Sequence, residues 1–276
     1  MSKLHFAKMS GAGNDFVVLD NRKGDLGIPL PELAARICDR HRSVGADGLL
    51  LVEPSSRKSF RMRYYNADGS EADMCGNGAR CIARFASIIG AAGKSMEFEN
   101  LAGDFAAQVL EGGQVRVQMT SPHSMKLNLQ IEVDGQFLVG HSLNTGVPHL
   151  VVPVRGIGDF PVAELGPKLR FHPDFKPKGT NVNFVGVLGR HAIKVRTYER
   201  GVEGETLACG TGAVASAVLM AALGECESPV AVTTSGNDIL EVSFQLKDGQ
   251  ASEVTMSGGA ELTFEGELDT AQLMGR

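Results

Sequence analysis

The sequence predicts an α+β fold of two pseudo-symmetric domains that arose by duplication, each a central buried helix wrapped by a curled, mainly antiparallel sheet. Three observations predict it: an internal half-copy, two helical segments with almost no polar face, and many short strand-like runs. The half-copy is marked by CGNGA at residues 75–79 and CGTGA at residues 209–213, an offset of 134 in a chain of 276. Upstream, Tyr65-Asn66 closes the alternating stretch FRMRYY, and Tyr198-Glu199 closes AIKVRTY. Downstream, Asp104 and Asp238 are again 134 apart. The same anchors in the same order argue for one unit written twice, with the two copies facing each other.

The elements follow in order. Period-2 or β-branched runs bounded by Gly, Pro, Asn and Asp predict strands at 16–20, 49–53, 60–65, 105–110 and 115–119 in the first half. In the second half they fall at 131–139, 182–188, 193–198, 239–246 and 261–264. Pro29 and Pro31 start a small amphipathic helix whose apolar positions are Leu33, Ala34, Ile37 and Cys38. In 79–89 the only strongly polar residues are Arg80, Arg84 and Ser87, and 213–223 (AVASAVLMAAL) is apolar nearly all round. A helix apolar on every side must be buried on every side, which calls for a sheet curled around it. No Pro-, Ser- or charge-rich linker separates the halves. SPHS at 121–124 interrupts the strands, so the domains are expected at 1–120, carrying Cys75, and 121–264, carrying Cys209.

Composition narrows the function. With 43% hydrophobic and 21% charged residues the chain can bury one large core or two ordinary ones. A net charge of −5 without a Lys/Arg cluster gives no footprint for nucleic acid. The longest apolar run, 213–223, falls short of the ~20 residues that span a membrane, and the N-terminus lacks the apolar core of a signal peptide. Five cysteines, an odd and sparse set, fit a reducing compartment, so a cytoplasmic protein is expected. No C-x2-C metal spacing and no redox C-x-x-C occurs, and C-x5-C at Cys75 and Cys81 is not a zinc pattern. Gly93-Lys94-Ser95 would need its first phosphate-loop glycine at Ile88, and Gly11-Ala12-Gly13 has Phe16 where a dinucleotide fingerprint needs its third glycine. Nothing marks a pyridoxal phosphate lysine, so the expected chemistry uses no cofactor and no metal.

That chemistry centres on the paired cysteines. Cys75 and Cys209 each stand where a helix begins, and free N–H groups with the positive dipole end stabilise a thiolate there. Gly76, Gly78, Gly210 and Gly212 lack side chains, which lets a carboxylate approach those N–H groups. Two such thiols at one carbon suggest two-base chemistry, one removing an α-proton and the other returning one to the opposite face. Ordinary packing is the usual fate of a free cysteine and is the reading for Cys38, Cys81 and Cys226. It does not explain glycines at matching places in both copies. Asn14, Asn66, Asn181, Asn183, Glu199 and Arg200 are candidate substrate contacts, against turn capping for the asparagines and a surface ion pair for Glu199 and Arg200. His149 is either a strand-entry residue or a group that tunes a thiol. A thiol redox protein and a non-catalytic small-molecule binder are the other classes these residues leave open.

GAGNDF (11–16), NADGSEADMCGNGARC (66–81), NTGVPH (144–149), GTNVNF (179–184) and YERGVEGETLACGTGA (198–213) together resemble the diaminopimelate epimerase family, in the family's order and over nearly the whole chain. The resemblance implies a cofactor-independent isomerase that interconverts LL- and meso-diaminopimelate in lysine and peptidoglycan precursor biosynthesis. By motif, Cys75 and Cys209 are its two acid/base thiols, the first as donor and the second as acceptor, exchanging with reaction direction. Gly76, Asn77, Gly210 and Thr211 match the loops whose backbone holds the reacting carboxylate. Asn14, Asn66, Asn181, Glu199 and Arg200 match further substrate contacts, and His149 and Glu199 match residues that modulate the thiols. The resemblance also implies that residues 265–276 return to the first domain and, without support from any individual residue, that the chain is a homodimer. Val147 stands where many members have Asn, and Gly48 where some have Gln, each removing one side-chain contact. Another two-cysteine racemase of the same fold is the nearest alternative.

Overall fold

The computed structural model describes residues 3–274, and the chain divides into two compact units, one of residues up to 117 with those from 258 onward, the other of residues 118–257. The first contains β1 (Lys3–Gly11), β2 (Asn14–Asp20), α1 (Leu30–Ile37), β3 (Gly48–Glu53), β4 (Phe60–Asn66), α2 (Gly76–Ile88), β5 (Ser95–Asn100), β6 (Gly103–Val109) and β7 (Gln114–Gln118). The second contains β8 (His123–Val133), β9 (Gln136–Asn144), β10 (Pro148–Pro153), α3 (Val162–Arg170), β11 (Asn181–Gly189), β12 (Ala192–Glu199), β13 (Gly204–Thr206), α4 (Gly210–Ala222), β14 (Val230–Thr233), β15 (Ile239–Lys247) and β16 (Gln250–Gly259). β17 (Glu261–Asp269) and the short α5 (Thr270–Met274) return to the first unit, where β17 runs antiparallel along β1.

The duplication is written in the strand pairing. In the first unit β17–β1 and β1–β2 are antiparallel, β2–β3 parallel, β3–β4 antiparallel, β4–β5 parallel, and β5–β6 and β6–β7 antiparallel. In the second the same sequence of directions runs through β8–β9, β9–β10, β10–β11, β11–β12, β12–β14, β14–β15 and β15–β16. Parallel neighbours need a crossover, and the four crossovers are the helices: α1 and α2 in one unit, α3 and α4 in the other. The predicted fold class is thus borne out.

Both faces of the central strands are buried, so each strand sorts its side chains between two helices. In the first unit Val17, Leu19, Leu49 and Leu51 pack with Leu33, Ala34 and Ile37 of α1. Phe16 and Leu50, one residue out of phase, approach Gly78 of α2 instead. In the second, Leu150, Val152, Val182 and Phe184 pack with Val162 and Leu169 of α3, while Asn183 points at Gly212 of α4. Helix α4 contacts β9, β10, β11, β12, β14 and β15, which is what an all-apolar helix requires.

Three details differ from expectation. Residues 131–139 form not one strand but the hairpin of β8 and β9, turned at Asp134 (φ 54°) and Gly135 (φ 76°). Asp-Gly with two positive φ angles is a turn that matches strand twist. The units divide at 117/118 and 257/258, where 120/121 and 264/265 were expected, because β17 already pairs with β1 from Glu261. Strand β5, whose SMEFEN alternates with period 2, is missing from the expected strands all the same, as are β1, β14 and β16 and helix α3, which contains Pro167.

Candidate active site

In the first unit, Cys75 is the N-cap of α2, with extended backbone (φ −140°, ψ 118°), and its Sγ accepts the Gly78 N–H at 3.5 Å. Cys75 Sγ also donates to Asn14 Oδ1 at 3.4 Å. Asn14 reaches that place because Gly11-Ala12-Gly13 is no dinucleotide loop: Gly11 ends β1, and Ala12-Gly13 is the two-residue turn into β2 (Ala12 φ 56°, Gly13 φ 78°). Its amide is oriented from behind: Nδ2 donates to Asp47 Oδ2 at 2.7 Å, which leaves the oxygen toward the thiol. Asp47 in turn accepts from Arg40, and Asp15 from Arg40 and Lys8, each at 2.6–2.7 Å. Burial would raise the Asp15 carboxyl, but hydrogen bonds from Arg40 and Lys8 outweigh it and hold it far below the usual carboxylate range.

Arg80, one turn into α2, is fully buried, and its guanidinium donates to Gly259 O, Gly76 O and Asn77 Oδ1 at 3.2, 3.4 and 2.9 Å. Asn77 is therefore tied up through its side chain, and its backbone N–H is the group that can serve a ligand. Asn66 ends β4 and donates from Nδ2 to Ser70 Oγ at 3.0 Å within a tight turn. Glycine at position 48 has a local cause: a Cβ there would lie 2.6 Å from the Tyr64 ring and 2.7 Å from the Tyr65 carbonyl, so a longer side chain does not fit unless both the Tyr64 ring and the Tyr65 backbone move.

In the second unit, Cys209 is the N-cap of α4 (φ −122°, ψ 108°), and its Sγ lies 3.6 Å from Thr211 Oγ1. Thr145 of the β9–β10 loop donates to the Thr211 carbonyl at 3.1 Å and ties that loop to the helix start. Period 2 puts His149 and Val151 of β10, and Asn181 and Asn183 of β11, on the face opposite α3. Asn181 Oδ1 accepts the Arg200 N–H at 2.8 Å. Burial pushes the Glu199 carboxyl up, against the opposing effect of the nearby Thr206 hydroxyl. Burial, reinforced by the Arg200 charge, pushes the His149 ring down to about 3, so it is neutral at physiological pH.

The expected clearance for a ligand at the motif glycines changes at two positions. The space at Gly212 is taken by Asn183, whose Oδ1 would stand 2.2 Å from a Cβ, and by Cys209 Sγ at 3.3 Å. The space at Gly78 is taken by Leu50, Cys75 and Phe16 at 3.3–3.5 Å. Both glycines serve close packing. Sequence reading missed Asp47, Arg80 and Thr197, and only their neighbours in space reveal them.

The other thiols are of a different kind. Burial pushes Cys38 and Cys81 up to about 12 and Cys226 up to about 11, which keeps them protonated and inert. Among the described residues no group of three His, Cys, Asp or Glu side chains could hold a metal ion, and no helix is long and apolar enough to cross a membrane.

A duplicated helix-in-sheet unit with a helix-capping thiol in each copy defines a class of protein, and solved structures share its fold. A phenazine biosynthesis protein of the PhzF family from Bacillus anthracis aligns with a TM-score of 0.73 at 17% identity, covering 98% of this chain and 100% of that one. A probable proline racemase from Agrobacterium radiobacter K84 aligns with a TM-score of 0.72 at 16% identity, covering 98% and 95%. Within that class the sequence is decisive. The profile of the diaminopimelate epimerase family matches residues 6–125 and 141–263. The diaminopimelate epimerase of Aquifex aeolicus is 44% identical, covering 96% of this chain and 98% of the relative, and that of Archaeoglobus fulgidus is 42% identical, covering 98% of each. The chain belongs to the diaminopimelate epimerase family.

Proposed function

We propose that this protein interconverts LL- and meso-2,6-diaminopimelate by a two-thiol proton exchange that needs no cofactor, with Cys75 and Cys209 as the acid/base pair. The observation that carries the reading is the duplicated N-cap cysteine, one at the start of each central helix, in a chain 44% identical to a diaminopimelate epimerase. Inversion needs one group to take the α-proton from one face and another to supply a proton to the opposite face, and the duplication provides one thiol per unit.

A carbon acid beside a carboxylate is weak and a thiol is a modest base, so the developing charge needs fixed dipoles. The N–H groups of Gly76, Asn77, Gly210 and Thr211, in the first turns of α2 and α4, are proposed to hold the reacting carboxylate. Asn14, Asn66, Asn181, Glu199 and Arg200 are proposed to bind the rest of the substrate, and His149 and Glu199 to modulate the thiols. Asn14 accepts the Cys75 thiol proton and fits a resting donor at that residue. The two compact units are proposed as the two domains of a cytoplasmic homodimer that acts on a small molecule, without nucleic acid or membrane.

The test is proton NMR of purified protein with LL-diaminopimelate in deuterium oxide, without added cofactor. The expected result is deuterium at the α-carbon with appearance of the meso isomer, and in Cys75→Ala and Cys209→Ala a loss of turnover of at least ~10²–10⁴-fold. A folded wild-type protein that exchanges no α-proton overturns the reading.

A further inference from the structure

Asn183, His149 and Thr197 form a buried network in the second unit. All three are nearly inaccessible, at 0%, 1% and 3% exposure. Asn183 Nδ2 lies 3.0 Å from the Leu150 carbonyl and 3.1 Å from His149 Nδ1, and its Oδ1 accepts from Thr197 Oγ1 at 2.9 Å. A backbone carbonyl can only accept, so the Leu150 oxygen fixes which end of the amide carries the hydrogens. One of them goes to Leu150, and the other faces His149 Nδ1. That nitrogen must then present its lone pair, because two N–H groups cannot face each other. The ring's single proton is left on Nε2, which is buried and has no partner among the described residues.

Packing does not demand this network. Asn183 pairs with Thr197 as Leu50 pairs with Tyr64, and His149 pairs with Asn181 as Phe16 pairs with Gly48. The first unit therefore fills the corresponding places with Phe16, Leu50 and Tyr64, largely hydrocarbon.

We propose that Asn183 is a positioning residue that locks His149 in the neutral Nε2–H tautomer, making the ring a hydrogen-bond donor to an anion and not a proton acceptor. The anion, a carboxylate or thiolate, follows from the function proposed above; the tautomer does not depend on it.

The experiment is a long-range ¹H–¹⁵N spectrum of the full chain carrying ¹⁵N-imidazole histidine, with His149 assigned from the signals lost in His149→Gln. The expected wild-type pattern is a pyrrole-type Nε2 and a pyridine-type Nδ1, constant from about pH 5 to about pH 9. In Asn183→Asp the carboxylate can only accept, so the two nitrogens exchange roles, and kcat falls at least ~10-fold while KM moves less than ~3-fold. A wild-type ring protonated on Nδ1 anywhere in that range overturns the proposal, and so does a folded Asn183→Asp protein with the wild-type pattern. The wild-type spectrum decides the tautomer even if the variant does not fold. Failure of deuterium exchange in the wild type would sink the proposed function and leave this spectrum to speak for itself.

Discussion

The two copies of the unit place their polarity in opposite layers. In the first, the strand face toward the central helix carries Phe16 and Leu50, with Phe16 edge-on to Tyr64 at 6.0 Å, and a fully buried charge, Arg80, stands on the helix itself. In the second, the helix carries no charge, with Val214 standing 134 residues after Arg80 and Ser216 as a fully buried hydroxyl, and the polar cluster is His149, Asn183 and Thr197 on the strands. A duplicated backbone thus tolerates either hydrocarbon or a polar cluster that pairs all its groups but one, His149 Nε2, and an unpaired buried polar group is what a core does not keep without a use. The difference teaches that ladder order and helix start come from the ancestral unit, whereas the contents of the helix–sheet layer were free to specialise once each copy had its own role.

The glycines in the third helical position offer the sharpest way to break that comparison. Gly212→Ala would drive a methyl into Asn183 Oδ1, at 2.2 Å, and Asn183 cannot retreat without abandoning Thr197, Leu150 and His149. We expect a loss of about 1–3 kcal/mol in stability by urea titration and a fall in turnover of roughly 100-fold. Gly78→Ala meets a Leu50 methyl at 3.3 Å and makes ordinary contacts with Cys75 and Phe16 at 3.5 Å, and the helical preference of Ala over Gly offsets the crowding. Its stability should stay within about 1 kcal/mol of wild type. Equal costs at the two glycines would mean that the layers are not differentiated in the way described.

How much of this was legible in the sequence follows from the range of the interactions. The Cys-Gly-x-Gly helix starts and the apolar stretch at 213–223 are local signals, read directly from spacing and composition. The identical strand ladders were visible only as a few anchors at offsets of 133 and 134, because pairing direction leaves no mark in composition. GAGND is a case of a motif whose glycines serve a hairpin, which a pattern cannot tell from a phosphate loop until strands flank it on both sides. Arg80 stands in the sequence only as one of the few polar residues of its helix, and nothing nearby names its partner, since its guanidinium reaches the Gly259 carbonyl, 179 residues away. Asp47 is equally silent, since its value lies in Asn14 across the sheet.

That last pair gives the next test. Asp47→Ala leaves the Asn14 amide free to turn, so its Nδ2 can face Cys75 Sγ in place of Oδ1. Turnover should fall roughly threefold to tenfold, the value of about one hydrogen bond, with a smaller change in KM. At Cys209 the corresponding neighbour is the Thr211 hydroxyl at 3.6 Å, a residue of the same helix start and not an asparagine oriented from behind. Thr211→Val should accordingly leave the Asp47→Ala loss additive in a double-mutant cycle, and strong coupling would show that the two thiol environments do not act separately.

The smallest effect concerns acid stability, and it too separates the copies. Asp15 is held ionised by Arg40 and Lys8, whereas the residue 133 positions later is Pro148, which has no charge to lose. A carboxyl whose folded pKa is depressed contributes its stability above the unfolded value of ~3.9 and loses it as the pH falls from there toward the folded value. Arg40 is half exposed, so solvent screens part of the attraction and about 1 kcal/mol is a fair scale for the whole contribution. Asp15→Asn should therefore lower the urea midpoint near neutrality and show a shallower further decline below about pH 4 than the wild type. Parallel acid limbs for the two proteins would mean that Asp15 is already protonated or already free in the folded state, contrary to the ion pairs at 2.6 Å that define its surroundings.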